Sequence, residues 1–193
     1  MNATEGSILV RLARESIATA FAGGRVIVPR EQWLAERRAT FVTLRLRRSG
    51  ELRGCIGTLE AHKPLGEAVV HYARLAAFED RRFEPLTRAE SDIVLIDVSV
   101  LSPHVPLPVA SEADAQTQLA RTRPGVLLNY RGLSGVFLPQ VWASLQDPRE
   151  FLRHLKEKAG LPAQFWSDEI ELRTFACDEY AEPDRLPSPR GAS

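Results

Sequence analysis

An antiparallel α+β fold is what this 193-residue sequence predicts, and three observations point to it. Stretches that alternate apolar and polar side chains come in pairs joined by turn signals, between Thr40 and Leu59 and again between Val126 and Val141. Amphipathic stretches with helical spacing stand before, between and after those pairs. The regular alternation of single strands and helices that builds a parallel sheet is missing, so a doubly wound fold is the second choice.

The elements follow in order. Leu9, Leu12, Ala13, Ile17, Ala20 and Phe21 recur at helical spacing with Arg11, Arg14 and Glu15 between them, and Gly23-Gly24 ends that helix. From Thr40 the period becomes two, with Val42, Leu44 and Leu46 on one face and Thr43, Arg45 and Arg47 on the other. Ser49-Gly50 turns the chain, and Leu52 to Leu59 returns as the hairpin partner. Pro64 suits a first helical turn, and Leu65, Val69, Ala73, Ala76 and Ala77 give a stripe of small residues as far as Phe78. Asp92 to Leu101 reads as a strand with one core face and one mixed face. Pro103, Pro106 and Pro108 end it, and Ser111 to Leu119 reads as a short helix. Pro124-Gly125 opens a second hairpin with arms Val126–Tyr130 and Val136–Val141. Asp147-Pro148 starts a helix that buries Phe151, Leu152, Leu155 and Ala159 and stops at Gly160. Ile170 to Cys177 is the last expected strand, and the Pro-rich tail from 183 to 193 has too little apolar content to order itself.

Composition narrows the function classes. No run of about 18 apolar residues and no signal-peptide pattern is present, so a soluble, cytoplasmic protein is expected, with no membrane partner. Cys55 and Cys177 are the only cysteines, too few for a disulfide framework or a zinc knuckle. With 25 basic and 25 acidic residues there is no strong positive field, which argues against nucleic acid as a partner.

The segment Arg53-Gly54-Cys55-Ile56-Gly57 is the strongest candidate for chemistry. In a regular strand Arg53 and Cys55 share a face, roughly 7 Å apart. A fixed cation near a thiol favours the thiolate, one route to a nucleophile. Gly54 and Gly57 weaken a strand unless a bend or a close approach needs them, and they leave backbone open to a substrate chain. The same pattern also fits a small buried thiol packed between glycines. Cys177 lacks this context and reads as structural. His62, His71, His104 and His154 are scattered with no metal-ligand spacing. His62 is nearest the segment in sequence, though His-Lys-Pro is ordinary turn material. Asp97 and Ser99 share the mixed face of their strand, where they either line a site or face solvent. Arg82 lies in the stretch Asp80 to Glu84 after a helix end, where ion pairing is the default reading. No phosphate loop, dinucleotide fingerprint or catalytic elbow occurs, so no cofactor and no metal is expected.

These residues carry a resemblance. Leu52-Arg53-Gly54-Cys55-Ile56-Gly57-Thr58-Leu59 closely resembles the signature of the AMMECR domain family. Ala76 to Asp80, Arg82 to Leu86, Val98 to Ser102, Phe137 to Trp142 and Phe151 to Leu161 follow it in order and spacing. The long later block resembles the prokaryotic AmmeMemoRadiSam system protein A type. The family usually has Pro or Ser at Arg81 and often Asn at Tyr72. The resemblance covers nearly the whole chain. It implies one domain over 5–182 with two subdomains, each an antiparallel sheet with flanking helices, and a cleft between them into which the Arg53-to-Gly57 side chains point. It implies a Memo-like protein and a radical S-adenosylmethionine (SAM) protein as partners in a modification pathway. On that reading Cys55 is the candidate nucleophile, while Arg53, Gly54, Ile56, Gly57, Arg82, Asp97 and Ser99 bind the substrate. A non-catalytic peptide- or protein-binding module is the alternative.

Overall fold

The computed structural model describes residues 1–183, so the tail expected to be disordered lies, apart from Pro183, outside the described residues. The chain divides into two compact units, Met1–Leu101 with the chain from Asp178 onward, and Ser102–Cys177. Each unit has its own antiparallel sheet, its own helices and its own apolar core, as an α+β fold requires.

In the first unit, helix α1 (Ala3–Ala20) begins earlier than the apolar spacing alone suggests. Asn2 and Glu5 form a capping box that satisfies the first main-chain donors. It is followed by the short helix α2 (Gln32–Ala35), strands β1 (Thr40–Leu46) and β2 (Leu52–Gly57), helix α3 (Leu65–Phe78) and the one-turn helix α4 (Arg88–Ser91). Strand β3 (Val94–Leu101) completes the run. The sheet order is β2-β1-β3-β8, with β8 at Cys177–Ala181. Val42, Leu44, Ile96 and Val98 bury one sheet face in a core shared with Leu9, Leu12 and Ile17 of α1 and Val69, Ala73 and Ala76 of α3. Small residues let α3 approach closely, and the Ser16 hydroxyl on α1 donates to the Val70 carbonyl at 2.7 Å.

In the second unit the sheet order is β4-β7-β5-β6. Its strands are β4 (Val105–Pro106), β5 (Gly125–Tyr130), β6 (Leu133–Phe137) and β7 (Glu171–Phe175), flanked by α5 (Glu112–Thr122) and α6 (Pro148–Lys158). The Trp142 and Phe151 rings stack with centroids 3.7 Å apart, and the Trp142 indole N–H donates to the Pro124 carbonyl at 2.8 Å.

Two expected strands differ from the structure for local reasons. The arm expected over Val136–Val141 stops at Phe137, because Pro139 has no donor for the ladder and the chain enters a 3-10 helix at Pro139–Ala143. The strand expected over Ile170–Cys177 is two strands, β7 and β8, in different sheets. They part at Ala176, whose N–H donates to the Ser102 hydroxyl and whose carbonyl accepts from the Ser102 N–H, each at 2.9 Å.

Candidate functional site

Strand β2 is an edge strand, and its exposed edge is closed at Cys55 by side chains instead of by another strand. The Cys55 N–H donates to the Asp80 carboxylate at 2.8 Å, and the Cys55 carbonyl accepts from Arg82 Nη2 at 3.1 Å. Asp80 and Arg82 also hold each other, Nε to Oδ1 at 2.9 Å and Nη2 to Oδ2 at 2.7 Å. The fork is possible because α3 ends at Phe78, which drops Asp80 beside the strand. The Asp80 side chain is only 4% exposed. Hydrogen bonds from the Arg82 side chain hold its carboxyl far below the usual range against the opposing push of burial, and the Cys55 and Arg82 main-chain donors add to this. Arg82 is pushed up from its ordinary value, first by Asp80 and then also by Cys55.

The sulfur itself accepts a hydrogen bond from the Thr43 hydroxyl at 3.3 Å. Cys55 is half-buried and its thiol is free. Thr43 is the register partner of both Cys55 on β2 and Asp97 on β3, so these three side chains form one row across the face opposite Val42 and Leu44. At about 4.8 Å per strand, Cys55 and Asp97 lie roughly 10 Å apart along that row. The next row holds Gly57, Phe41 and Ser99.

Arg53 is engaged differently from the substrate-binding cation beside Cys55 that the sequence suggests. It is 9% exposed, and its Nε and Nη2 meet the two Glu90 carboxylate oxygens at 3.0 and 3.2 Å. Glu90 also accepts from the Thr87 N–H and hydroxyl, which caps α4, and its carboxyl is lowered to about 2, first by Arg53 and then by Thr87. The Phe83 ring lies under both guanidinium groups, 5.8 Å from Arg53 and 5.5 Å from Arg82. The space that each glycine frees is taken by the protein itself. A Cβ on Gly54 would sit 2.1 Å from the Ala76 carbonyl oxygen, and one on Gly57 would sit 2.4 Å from the Phe41 ring. Ile56 packs against the apolar core, on the other face from Cys55.

A family model described as AMMECR1 matches residues 10–180. The chain belongs to the AMMECR1 family. Protein MK0488 of Methanopyrus kandleri is 40% identical over 189 residues, covering 93% of this chain and 89% of that protein. Protein MJ0810 of Methanocaldococcus jannaschii is 35% identical over 190 residues, covering 97% and 92%. The crystal structure of Uncharacterized Protein PH0010 from Pyrococcus horikoshii superposes with a TM-score of 0.83 at 31% identity, covering 100% of this chain and 96% of that one.

In this AMMECR1 protein the structure gathers Cys55, Arg82 and Asp97 with Thr43 and Asp80, while Arg53 forms its own pair with Glu90. Asp97 pairs with Arg45 at 3.1 Å. Glu179 of β8 stands nearby and, although exposed, its carboxyl is pushed up, first by desolvation and then by Asp97, with Arg45 opposing. Ser99 is buried, and its carbonyl accepts from the Thr40 hydroxyl at 2.7 Å. The hydrogen-bond partners of Cys55 are Thr43, Asp80 and Arg82. His62 pairs with Glu60, His154 with Glu157, His71 meets the Tyr72 ring and His104 the Phe175 ring. Among the described residues no three His, Cys, Asp or Glu side chains gather as a metal set. No helix among them is long and apolar enough to cross a membrane. From the sequence, Thr43 falls on a strand face and Asp80 in an ion-paired stretch after a helix end, and neither is assigned to the site. Thr43 carried a usable signal, the period-two pattern that set it opposite Val42 and Leu44. Asp80 carried none, because a helix end fixes where it lands.

Proposed function

We propose that Cys55 is the working thiol of this AMMECR1 protein, acting as the nucleophile or covalent carrier in a catalytic or accessory component of a modification pathway. The observation that supports the reading is the grip on its backbone: Asp80 and Arg82 take both outward main-chain groups of Cys55. That lock keeps a half-exposed guanidinium beside the thiol, and Thr43 donates to the sulfur. A cation and a hydroxyl donor beside a sulfur are the kind of partners a nucleophilic thiol uses. Arg82 takes the role of anion anchor in place of Arg53, whose charge is answered by Glu90. Thr43 and Asp97 line the face on which a substrate would rest, and the buried Ser99 lies one row further along it. A radical SAM protein and a Memo-like protein are the partners this reading carries, and no cofactor is assigned to the chain.

One observation favours the alternative, a non-catalytic peptide- or protein-binding module. The neighbours of Cys55 are a hydroxyl, a carboxylate already neutralised by Arg82, and Arg82 itself, with no general base among them.

Alkylation by iodoacetamide at neutral pH separates the two. In the folded protein Cys55 is expected to react at least ten-fold faster than Cys177, each followed by mass spectrometry of the labelled peptides. Equal, slow labelling of both thiols would remove the nucleophile and leave the binding module.

A further inference from the structure

The first unit carries an apolar feature built from residues that take no part in the hydrogen bonds around Cys55. Between α1 and α2 the chain runs from Gly24 to Glu31 without regular secondary structure. It is pinned at several points. Arg74 Nη2 donates to the Gly24 carbonyl at 2.7 Å, Val26 and Val28 pack on the core, and Val28 fills the space above Gly66, where a Cβ would sit 2.4 Å away. Between those two valines Ile27 projects outward and is 90% exposed, more than any other large apolar side chain among the described residues. Among those residues, no main-chain partner is seen for the amides from Arg25 to Glu31 or for the carbonyls from Arg25 to Arg30. Beside this strap lies an open groove of about 500 Å³, whose apolar walls include Pro29, Leu34, Ala35 and Pro64.

An anchored segment whose side chains alternate between core and solvent from Arg25 to Val28, with no main-chain partner among the described residues, an exposed β-branched side chain and a partly apolar groove at its flank, has the properties of a strand that can accept a partner strand. Its charges say which partner. The strap's Arg25 and the groove-lining Arg30, Glu31 and Glu67 are exposed and, among the described residues, without ion pairs, two of each sign. Such a balanced patch complements itself across a two-fold axis, where each copy sets its basic groups against the acidic groups of the other.

We infer that the Arg25–Glu31 strap is a homodimer interface in which two copies pair their straps antiparallel about Ile27. In that register Val26 faces the partner's Val28, and these residues exchange main-chain hydrogen bonds in both directions. Pro29, which has no N–H, falls at a position where no donor is needed. Ile27 meets the partner's Ile27 and, diagonally, the partner's Pro29 on the groove wall. Arg25 falls diagonal to the partner's Glu31, and the symmetry makes that ion pair twice. This interface is independent of the chemistry assigned to Cys55.

Sedimentation velocity over a concentration series tests it. Wild-type protein is expected to pass from one chain to two as concentration rises, while Ile27→Asp stays a single chain over the same range. Because Ile27 touches almost nothing in its own chain, Ile27→Asp should keep the wild-type thermal midpoint, so loss of the dimer cannot be attributed to unfolding. Ile93→Asp, which alters another exposed apolar side chain of the same unit, should still dimerise. A Cys55→Ser, Cys177→Ser, Ile27→Cys protein should form a disulfide-linked pair under mild oxidation, since directly opposed antiparallel residues bring their Cβ atoms within about 5.5 Å. Wild-type protein that remains a single chain throughout overturns the inference, even if the strap is found to capture a different protein. Association that survives Ile27→Asp overturns it as well.

Discussion

Asp80 shows how much one buried carboxylate can organise. It accepts from the Cys55 N–H, from the Arg82 N–H and from two Arg82 side-chain nitrogens, so its proton is bound far more weakly in the folded chain than in the unfolded one. The stability it contributes is therefore complete above the ordinary carboxylate value and is lost as the pH falls toward the lowered folded value. Glu90 has the same sign, from 4.5 down to about 2. Urea midpoints of the wild type should hold near neutrality and then fall steeply below about pH 4.5. Asp80→Asn should be about 2 kcal/mol less stable at pH 7, since charged hydrogen bonds are lost. Half the Arg82 side chain is exposed to water, which keeps that figure modest. The variant should also lose less on acidification, so that the two curves converge at low pH. Parallel curves would show that Asp80 is not the titrating group. At Gly54 the expectation is steric. Gly54→Ala sets a methyl 2.1 Å from the backbone oxygen of Ala76, which cannot swing away as a flexible side chain would. A loss of about 3 kcal/mol in the same urea assay is expected, at the upper end of overpacking costs.

Among the elements, α6 carries an instructive pair. Lys156 is 1% exposed, and its ammonium meets the Glu112 carboxylate at the start of α5 at 2.7 Å. Removing only the carboxylate leaves a buried charge without its partner, so Glu112→Gln should cost about 3 kcal/mol. Lys156→Met removes the charge and keeps most of the volume, so it should cost under about 1 kcal/mol. Urea denaturation of the two variants reads the difference, and a larger cost for Lys156→Met would show that the ammonium has a role beyond this pair. Sequence periodicity could find α6 because Phe151, Leu152 and Leu155 mark its apolar stripe. It could not find Lys156 as a buried member, since a lysine at that spacing looks like part of the solvated face. Helix α4 was missed for a related reason. Four residues are too short to show a period, and what holds the turn is the Thr87–Glu90 capping box together with the distant Arg53.

For the molecule as a whole, the chain supplied most of the architecture unaided. Alternating apolar residues over Thr40–Leu46 and Val94–Leu101 must bury one face, and the stripes of α1, α3 and α6 must cover such faces, so an antiparallel α+β fold follows from local pattern. The ordered motifs around Cys55 likewise carry the AMMECR1 family in the sequence alone. Three matters rested on tertiary structure alone. The separation of β7 from β8 depends on which sheet each strand joins. The choice between Arg53 and Arg82 as the cation beside Cys55 depends on Glu90, which lies 37 residues from Arg53 in sequence. The meaning of Gly54 and Gly57 depends on what occupies the space above them, the Ala76 carbonyl and the Phe41 ring. Periodicity reports which side of an element is apolar, because that property repeats every two or 3.6 residues. Which charge neutralises which, and which backbone comes close enough to demand a glycine, are single long-range encounters, and a single encounter leaves no repeat in the sequence.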